Sequence, residues 1–162
     1  MSQPLYPLRF NVGFIVNQSI GYSREFSFEF PKIDLKPDFV LQKFSGVALI
    51  MRTPQGLLIQ AKFMAGQLSQ CVRCLNDFVQ QLEADFSELY AFSPRTVSES
   101  GLILPEDANI DLEPIVREYL LVEVPINPLC RPDCNGLCTI CGADLNETTC
   151  EHQTQENARI IY

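Results

Sequence analysis

Apolar and polar positions alternate with a period of two along the first hundred residues, a pattern typical of strands with one buried face. In LRFNVGFIV, at residues 8–16, Phe10, Val12, Phe14 and Val16 are predicted to point to one side. In REFSFEF, phenylalanine at positions 26, 28 and 30 repeats the alternation. Both segments are therefore predicted to be strands, and the proline-bounded PKIDLKP at 31–37 is predicted to connect to the next one.

Two further apolar segments, FSGVALIMRT and GLLIQAKFMAG, flank Pro54-Gln55-Gly56, which predicts a β-hairpin. After a CVRC turn at 71–74 the alternation resumes and predicts another strand. One of its faces carries Leu82, Ala84, Phe86, Glu88, Tyr90 and Phe92, and the other carries Glu83, Asp85 and Ser87. Short connections between successive strands favour an antiparallel sheet.

The period then changes. Residues 93–109 show no regular spacing of apolar residues and are predicted to be a loop. The pattern at 111–124 predicts an amphipathic helix whose apolar face carries Leu112, Ile115, Val116, Tyr119 and Leu120. Asp111 is placed to cap this helix, Pro114 fits its first turn and Pro125 ends it. The predicted fold is α+β: a mainly antiparallel sheet with one packed amphipathic helix and a C-terminal zinc-knuckle segment. The predicted domains are a β-rich domain at 1–125, a cysteine-rich segment packed on it at 126–152, and a tail at 153–162.

The composition of the 162 residues, 46% hydrophobic and 20% charged, is that of a globular chain. The longest apolar run, GVALIM at 46–51, is far too short to cross a bilayer, and the segment MSQPLYPLRF lacks the apolar core of a secretory signal. We therefore expect a cytoplasmic protein with no membrane partner.

Charge is distributed unevenly. Residues 1–76 contain eight Lys/Arg and four Asp/Glu, whereas residues 77–162 contain four Lys/Arg and sixteen Asp/Glu, a net charge of −12 in the second half. Such an acidic region repels phosphate and attracts basic proteins, although carboxylates of this kind also serve simply as a solvated surface.

Five of the seven cysteines and the only histidine lie in CRPDCNGLCTICGADLNETTCEH at 130–152. In a reducing compartment, clustered cysteines bind metal or act in redox chemistry more often than they form disulfides. Cysteine pairs two or three residues apart on a tight turn supply two ligands to tetrahedral Zn²⁺, and Gly142 suits such a turn. The predicted metal ligands are Cys71, Cys74, Cys130, Cys134, Cys138, Cys141, Cys150 and His152.

Eight ligands suffice for two zinc ions, but the sequence leaves their pairing open. One arrangement joins Cys71 and Cys74 to Cys130 and Cys134, and the remaining four ligands form the second site. In another arrangement the four cysteines at 130–141 bind one ion locally and Cys71 and Cys74 join Cys150 and His152. A third has a single zinc and free cysteines.

No phosphate-binding loop, dinucleotide motif, metalloprotease motif or nucleophile elbow occurs in the sequence, and sites built almost wholly from cysteine are usually structural. We therefore expect no enzyme, no small-molecule substrate and no catalytic residue. The alternatives are a thiol–disulfide or redox-sensing protein that uses Cys71 and Cys74, and a zinc-ribbon nucleic-acid binder. The acidity of the second half weakens the latter.

Several of these features occur in one order: a CxRCL turn, a strand ending in ELY, an acidic loop, IDLEPIVREYLLVEVP and PLCRPDCNGLCTICGADLN. This order over residues 40–152 resembles the YceD family of large ribosomal RNA subunit accumulation proteins. That family usually ends the cysteine stretch with two cysteines one residue apart, and here the second position is His152. The resemblance implies a non-enzymatic role in ribosome biogenesis and rRNA accumulation, and the acidic half suggests a basic ribosomal protein or large-subunit precursor as partner. Any contact with rRNA is expected to be indirect or weak.

Overall fold

The computed structural model describes residues 5–152, so the predicted tail at 153–162 lies outside the described residues. Within that range the chain forms six strands, two helices and one 3₁₀ turn, with these bounds: β1 Arg9–Asn11, α1 Gly13–Val16, β2 Ser23–Leu35, β3 Phe39–Arg52, β4 Gly56–Gln70, β5 Asp77–Ala91, the 3₁₀ turn Pro94–Thr96, β6 Asn109–Asp111 and α2 Glu113–Glu123. Neither helix in this part of the chain has the length and apolar character needed to span a membrane.

The chain divides into two compact units. Among the described residues, the first contains 5–67 and 81–123, and the second contains 68–80 and 124–152. The predicted division at residues 125 and 126 leaves 68–80 in the β-rich domain, whereas the contacts within the chain group that segment with the cysteine-rich one. The reason is that Cys71 and Cys74 pack with Cys134 in one small buried cluster.

The first unit is built on a sheet in which, among the described residues, β2, β3, β4 and β5 follow one another in chain order. β2 pairs antiparallel with β3, and β3 pairs antiparallel with β4 across the turn predicted at Pro54-Gln55-Gly56. The predicted antiparallel sheet is thus confirmed. The alternation predicted for β5 is also found, with Leu82, Ala84 and Phe86 buried and the intervening side chains exposed.

Helix α2 covers one face of this sheet through an aromatic stack. Phe44 stacks on Phe63 with ring centroids 5.2 Å apart, and Phe86 stacks on Tyr119 of α2 at 4.7 Å. Ile115 and Leu120 of the helix are buried. The amphipathic helix is therefore confirmed, with bounds one or two residues inside the predicted 111–124. The Asp111 carboxylate accepts a hydrogen bond from the backbone N–H of Glu113 at 3.0 Å, so it caps the first turn as predicted.

The long strand predicted for LRFNVGFIV is wrong beyond residue 11, because the chain turns there into α1. The Asn11 side chain accepts a hydrogen bond from the N–H of Gly13 at 2.9 Å, which starts the helical turn in place of a strand. The buried side chain is consequently Ile15, whereas Phe14, predicted to face the core, is 41% exposed.

The connection predicted at 31–37 is also wrong, because β2 continues to Leu35 and pairs with β3 as far as Phe39. β2 is one of the two edge strands of this sheet among the described residues, and an edge strand tolerates a proline such as Pro31. The connection is only the turn 36–38.

Candidate metal centres

Four cysteines from two distant segments of the second unit converge on one point. Cys71 and Cys74 lie on the turn that joins β4 to β5, and Cys130 and Cys134 lie in the segment after α2. Their sulfur atoms are all within 4.8 Å of one another. We call this group the four-cysteine cluster. Three of the cysteines are buried and Cys130 is half-buried, with Phe78 and Leu129 packed against them.

The sulfur spacing in this cluster matches a tetrahedral metal site. Cys71 Sγ is 3.8 Å from Cys134 Sγ, and Cys74 Sγ is 3.7 Å from Cys130 Sγ. With Zn–S bonds of about 2.3 Å, the edge of a regular tetrahedron is about 3.8 Å long. A disulfide would require about 2.05 Å, and every cysteine of the chain is a free thiol. The arrangement therefore fits a four-coordinate thiophilic ion.

The turn that carries Cys71 is shaped to hold a thiolate. The backbone N–H of Leu75 donates to the Cys71 carbonyl at 2.9 Å, and Leu75 itself has a positive φ of 61°. The backbone N–H of Cys74, followed by those of Cys130 and Arg73, lowers the pKa of the Cys71 thiol to about 6. A preformed thiolate is the ligand form that a metal requires.

The cluster cannot hold four negative charges without a cation. Burial and hydrogen bonding with the Cys74 thiol raise the pKa of Cys130 to about 12, opposite to the change at Cys71. Thiols less than 4 Å apart disfavour each other's ionisation, since each added thiolate repels the next. A divalent cation at the centre would remove this conflict.

A polar shell around Asn146 supports the four-cysteine cluster. The Asn146 side-chain amide donates to Cys134 Sγ at 3.4 Å and lowers the pKa of that thiol. Its Oδ1 accepts from Arg131 at 2.8 Å and from the backbone N–H of Asn135 at 2.9 Å. Arg73 donates through Nη1 to the Cys134 carbonyl at 3.0 Å. Such outer partners orient the ligands of a metal site.

The other four predicted ligands form a second group, which we call the histidine-containing cluster. It consists of Cys138, Cys141, Cys150 and His152, and their ligand atoms also lie within 4.8 Å of one another. A short antiparallel turn builds it: the Cys138 N–H donates to the Ala143 carbonyl at 2.9 Å, and the Gly142 N–H donates to the Cys138 carbonyl at 2.9 Å. Gly142 has a φ of 75°, the conformation predicted for it.

Donor chemistry in the histidine-containing cluster also fits a metal. The backbone N–H groups of Cys141 and then Ile140 lower the pKa of the Cys138 thiol to about 6. The Nδ1 atom of His152 is buried and has no hydrogen-bond partner among the described residues. Leaving such an atom unpaired is costly unless it has another partner, and a metal ion is one. This cluster is the more exposed of the two, since Cys141 lies at the surface.

The structure thus brings all eight predicted ligands together, in two groups of four. Cys71 and Cys74 join Cys130 and Cys134, which is the first of the arrangements considered from the sequence. The second arrangement, in which Cys71 and Cys74 join Cys150 and His152, is not the one observed.

A comparison with protein families covers the region that carries these clusters. The sequence profile described as "Large ribosomal RNA subunit accumulation protein YceD" matches residues 62–160, more than half of the chain and all eight predicted ligands. The chain belongs to the YceD family.

Curated relatives agree with this assignment. An uncharacterized protein of Mycobacterium tuberculosis is 33% identical over 95 residues, which cover 56% of this chain and 46% of that protein. The chloroplastic YCED homolog 1 of Zea mays, named as a large ribosomal RNA subunit accumulation protein, is 40% identical over 43 residues, which cover 26% of this chain and 15% of that protein. The chain spans less than half the length of the relatives it matches. No solved structure matches the chain.

Sequence reasoning missed the residues that support the clusters of this YceD protein. Asn146 stands in the motif GADLN, but asparagine is common in turns, and nothing in its spacing indicates a bond to a sulfur 12 residues away. Gly136 is a second case. Its φ is 75°, and a Cβ atom there would lie 3.2 Å from the Arg73 carbonyl oxygen, so only glycine lets the two segments approach so closely.

Proposed function

We propose that this chain is a non-enzymatic, zinc-binding factor that supports accumulation of large-subunit ribosomal RNA by docking to a basic ribosomal protein or a large-subunit precursor. The observation that carries the proposal is the coincidence of the YceD family match with both clusters at residues 62–160. The plant relatives carry the same function in their names.

The donor set favours zinc among the common metals. Seven thiols and one imidazole are soft or borderline ligands, which select Zn²⁺ over Mg²⁺ or Ca²⁺ in a reducing compartment. When bound, zinc would neutralise the thiolates and join segments distant in sequence. The lowered thiol pKa values of Cys71 and Cys138 favour this binding, as does the buried His152 Nδ1, which has no hydrogen-bond partner among the described residues.

Two features support a docking role in place of catalysis. Each cluster offers four protein ligands, so a tetrahedral ion in either would have no open position for a substrate or water. The net charge of −12 over residues 77–162 favours a basic protein over RNA as the direct partner.

Complementation tests the proposed function. A strain that lacks its own YceD gene is given this chain, and the ratio of large- to small-subunit rRNA is measured together with the profile of ribosomal particles. We expect the intact chain to restore the ratio and to co-sediment with large-subunit precursors. A normal ratio in the deletion strain, or no association with any precursor, would contradict the proposal.

Metal content is the companion measurement. We expect two zinc ions for each purified chain and few thiols that react with a thiol reagent before denaturation. A metal-free chain that remains folded and restores rRNA accumulation would refute the zinc part of the proposal.

Thiol–disulfide exchange at Cys71 and Cys74 draws less support. Both side chains are buried, neither lies at the start of a helix, and each sulfur is less than 4 Å from a cysteine of the other segment. A metal-free protein in which this pair cycles with a reductant would favour the exchange function.

A further inference from the structure

A surface groove in the first unit runs along α2, away from both clusters in sequence. It has a volume of about 260 Å³, and its apolar lining includes Leu102, Ile115, Tyr119 and Val122. We call it the α2 groove. A second depression shares Glu88 and Ser100 with the α2 groove and has Leu58 and Leu89 in its lining. The aliphatic surface here is accessible, since the Val122 side chain is 81% exposed.

Carboxylates line this apolar surface. Glu88 and Glu118 border the α2 groove, and Glu99 borders the second depression. The linings of both, as far as the structure describes them, contain no lysine or arginine. Nor does any of the three carboxylates form an ion pair within residues 5–152. An apolar floor with an unneutralised acidic rim is complementary to a ligand that is both apolar and basic.

The Glu88 side chain is held in position by Tyr119, another residue that lines the groove. Its Oε1 accepts a hydrogen bond from the Tyr119 hydroxyl at 2.9 Å, and Tyr119 is held in turn by its stack on Phe86. The hydrogen bond to Glu88, burial and the nearby charges of Glu88 and Glu118 raise the pKa of Tyr119. A cation docking here would meet an oriented carboxylate and would have little ordering cost to overcome on the protein side.

We propose that the α2 groove binds a basic segment of a large-subunit ribosomal protein. Aliphatic side chains of that segment lie over Tyr119 and Val122, and its lysine or arginine side chains pair with Glu88 and Glu118. The class of partner in this inference rests on the proposed function. The place of contact and its chemistry rest on the charge and shape of the groove.

Other occupants fit less well. RNA would bring phosphates against three carboxylates. A second copy of this chain would bring a net charge of −8 to an acidic surface. A basic protein segment gains from both the apolar floor and the charged rim.

A labelled peptide tests the chemistry of the groove directly. The probe is a twelve-residue peptide in which leucine pairs alternate with lysine–arginine pairs, titrated by fluorescence anisotropy against the intact zinc-loaded chain. One comparison probe carries glutamine in place of every basic residue, and a second carries serine in place of every leucine. We expect each comparison probe to bind at least about tenfold more weakly than the parent, and higher salt to weaken the parent.

Variants locate the binding. The double change Glu88→Gln and Glu118→Gln should weaken the parent probe about tenfold, and Val122→Ser about threefold. Glu123→Gln is the matched control, because it removes a carboxylate from the same helix outside the groove lining and should leave the affinity unchanged. Equal affinity of the double variant and the control, or equal affinity for the serine probe, would overturn the proposal.

Cross-linking identifies the occupant and separates this inference from the proposed function. A photoreactive residue at position 122 is irradiated with purified large-subunit ribosomal proteins, a large-subunit rRNA fragment and the chain itself. Cross-links to basic, leucine- or valine-containing protein segments support the proposal, and cross-links mainly to RNA or to a second copy overturn it. If the chain restores rRNA accumulation but the double variant does so equally well, the groove assignment fails alone. If the peptide binds as expected but the chain associates with no precursor, the proposed function fails alone.

Discussion

The two cysteine clusters have the same number of candidate ligands but differ in how far apart along the chain those residues lie. In the four-cysteine cluster the paired sulfurs are separated by 63 and 56 residues along the chain, and three of the cysteines are buried. The histidine-containing cluster joins ligands within residues 138–152, and its Cys141 is exposed. Closing a loop about five times longer costs roughly 1.4 kcal/mol more chain entropy. A metal ion that closes the longer loop removes more chain entropy from the unfolded state, so we expect the four-cysteine cluster to stabilise the second unit more and the histidine-containing cluster to order mainly its own turn.

The largest predicted effect follows from breaking the four-cysteine cluster. Cys134→Ser leaves three sulfurs facing a weak hydroxyl ligand at the buried centre, so the metal and the link between residues 71–74 and 130–134 should both be lost. We expect one zinc equivalent to disappear and the amide resonances of residues 68–80 and 126–137 to lose their dispersion. Loss of a structural metal is among the most destabilising changes known, and a fall in melting temperature of about 10 °C or more is expected.

Cys141→Ser is the matched change in the histidine-containing cluster. It should also remove one zinc equivalent, but the resonances that change should be confined to about 138–152. Metal analysis and heteronuclear NMR on the two variants decide the comparison. If both variants disturb the same residues, the two clusters are not separable and the contrast between them is wrong.

How much of the structure the sequence predicts depends on whether an element is determined by its own residue pattern or by particular contacts that the pattern does not show. The alternation of Phe26, Phe28 and Phe30 predicted β2 because a strand's buried face is encoded locally. The same interpretation failed at Phe14, where the Asn11 side chain accepts a hydrogen bond from the Gly13 N–H and the chain turns into a helix. Local hydrogen bonds of this kind compete with the strand conformation that alternating apolar and polar residues predict, and the alternation itself does not reveal them.

The metal ligands show the same division. Residue type and spacing identified all eight side chains that the structure gathers into the two clusters, because cysteine pairs on tight turns are typical of zinc sites. Their pairing depends on contacts that spacing does not encode, such as the close approach of Gly136 to Arg73 and the hydrogen bond between Leu137 N–H and the Arg73 carbonyl. These contacts appear only once the chain is folded.

A smaller effect is expected at the one ligand that is not a cysteine. His152→Ala removes a metal-binding side chain from the histidine-containing cluster and should weaken its zinc affinity by more than about 100-fold. This is more than the loss expected when a residue that only hydrogen-bonds to a ligand is removed. His152→Cys restores a soft ligand at the same position, so it should keep two zinc ions in each chain. Competition with a chromophoric chelator measures both. Equal zinc affinity in the alanine variant and the unaltered chain would show that His152 is not a ligand.

The smallest predicted effect concerns Asn146, which supports the four-cysteine cluster without being a ligand. Asn146→Ala removes the N–H that donates to Cys134 Sγ, and loss of an outer partner typically lowers metal affinity about 10- to 100-fold. With Co²⁺ as a spectroscopic substitute, the sulfur-to-metal absorption band should shift, because the Cys134 thiolate loses its hydrogen bond. Asn127→Ala, an exposed asparagine in the same unit, is the control and should change neither quantity. A weaker affinity with an unshifted absorption band would mean that Asn146 acts only by holding the loop through Arg131 and Asn135. In that case the two clusters would differ because of the burial of their sulfur atoms more than because of hydrogen bonds to those atoms.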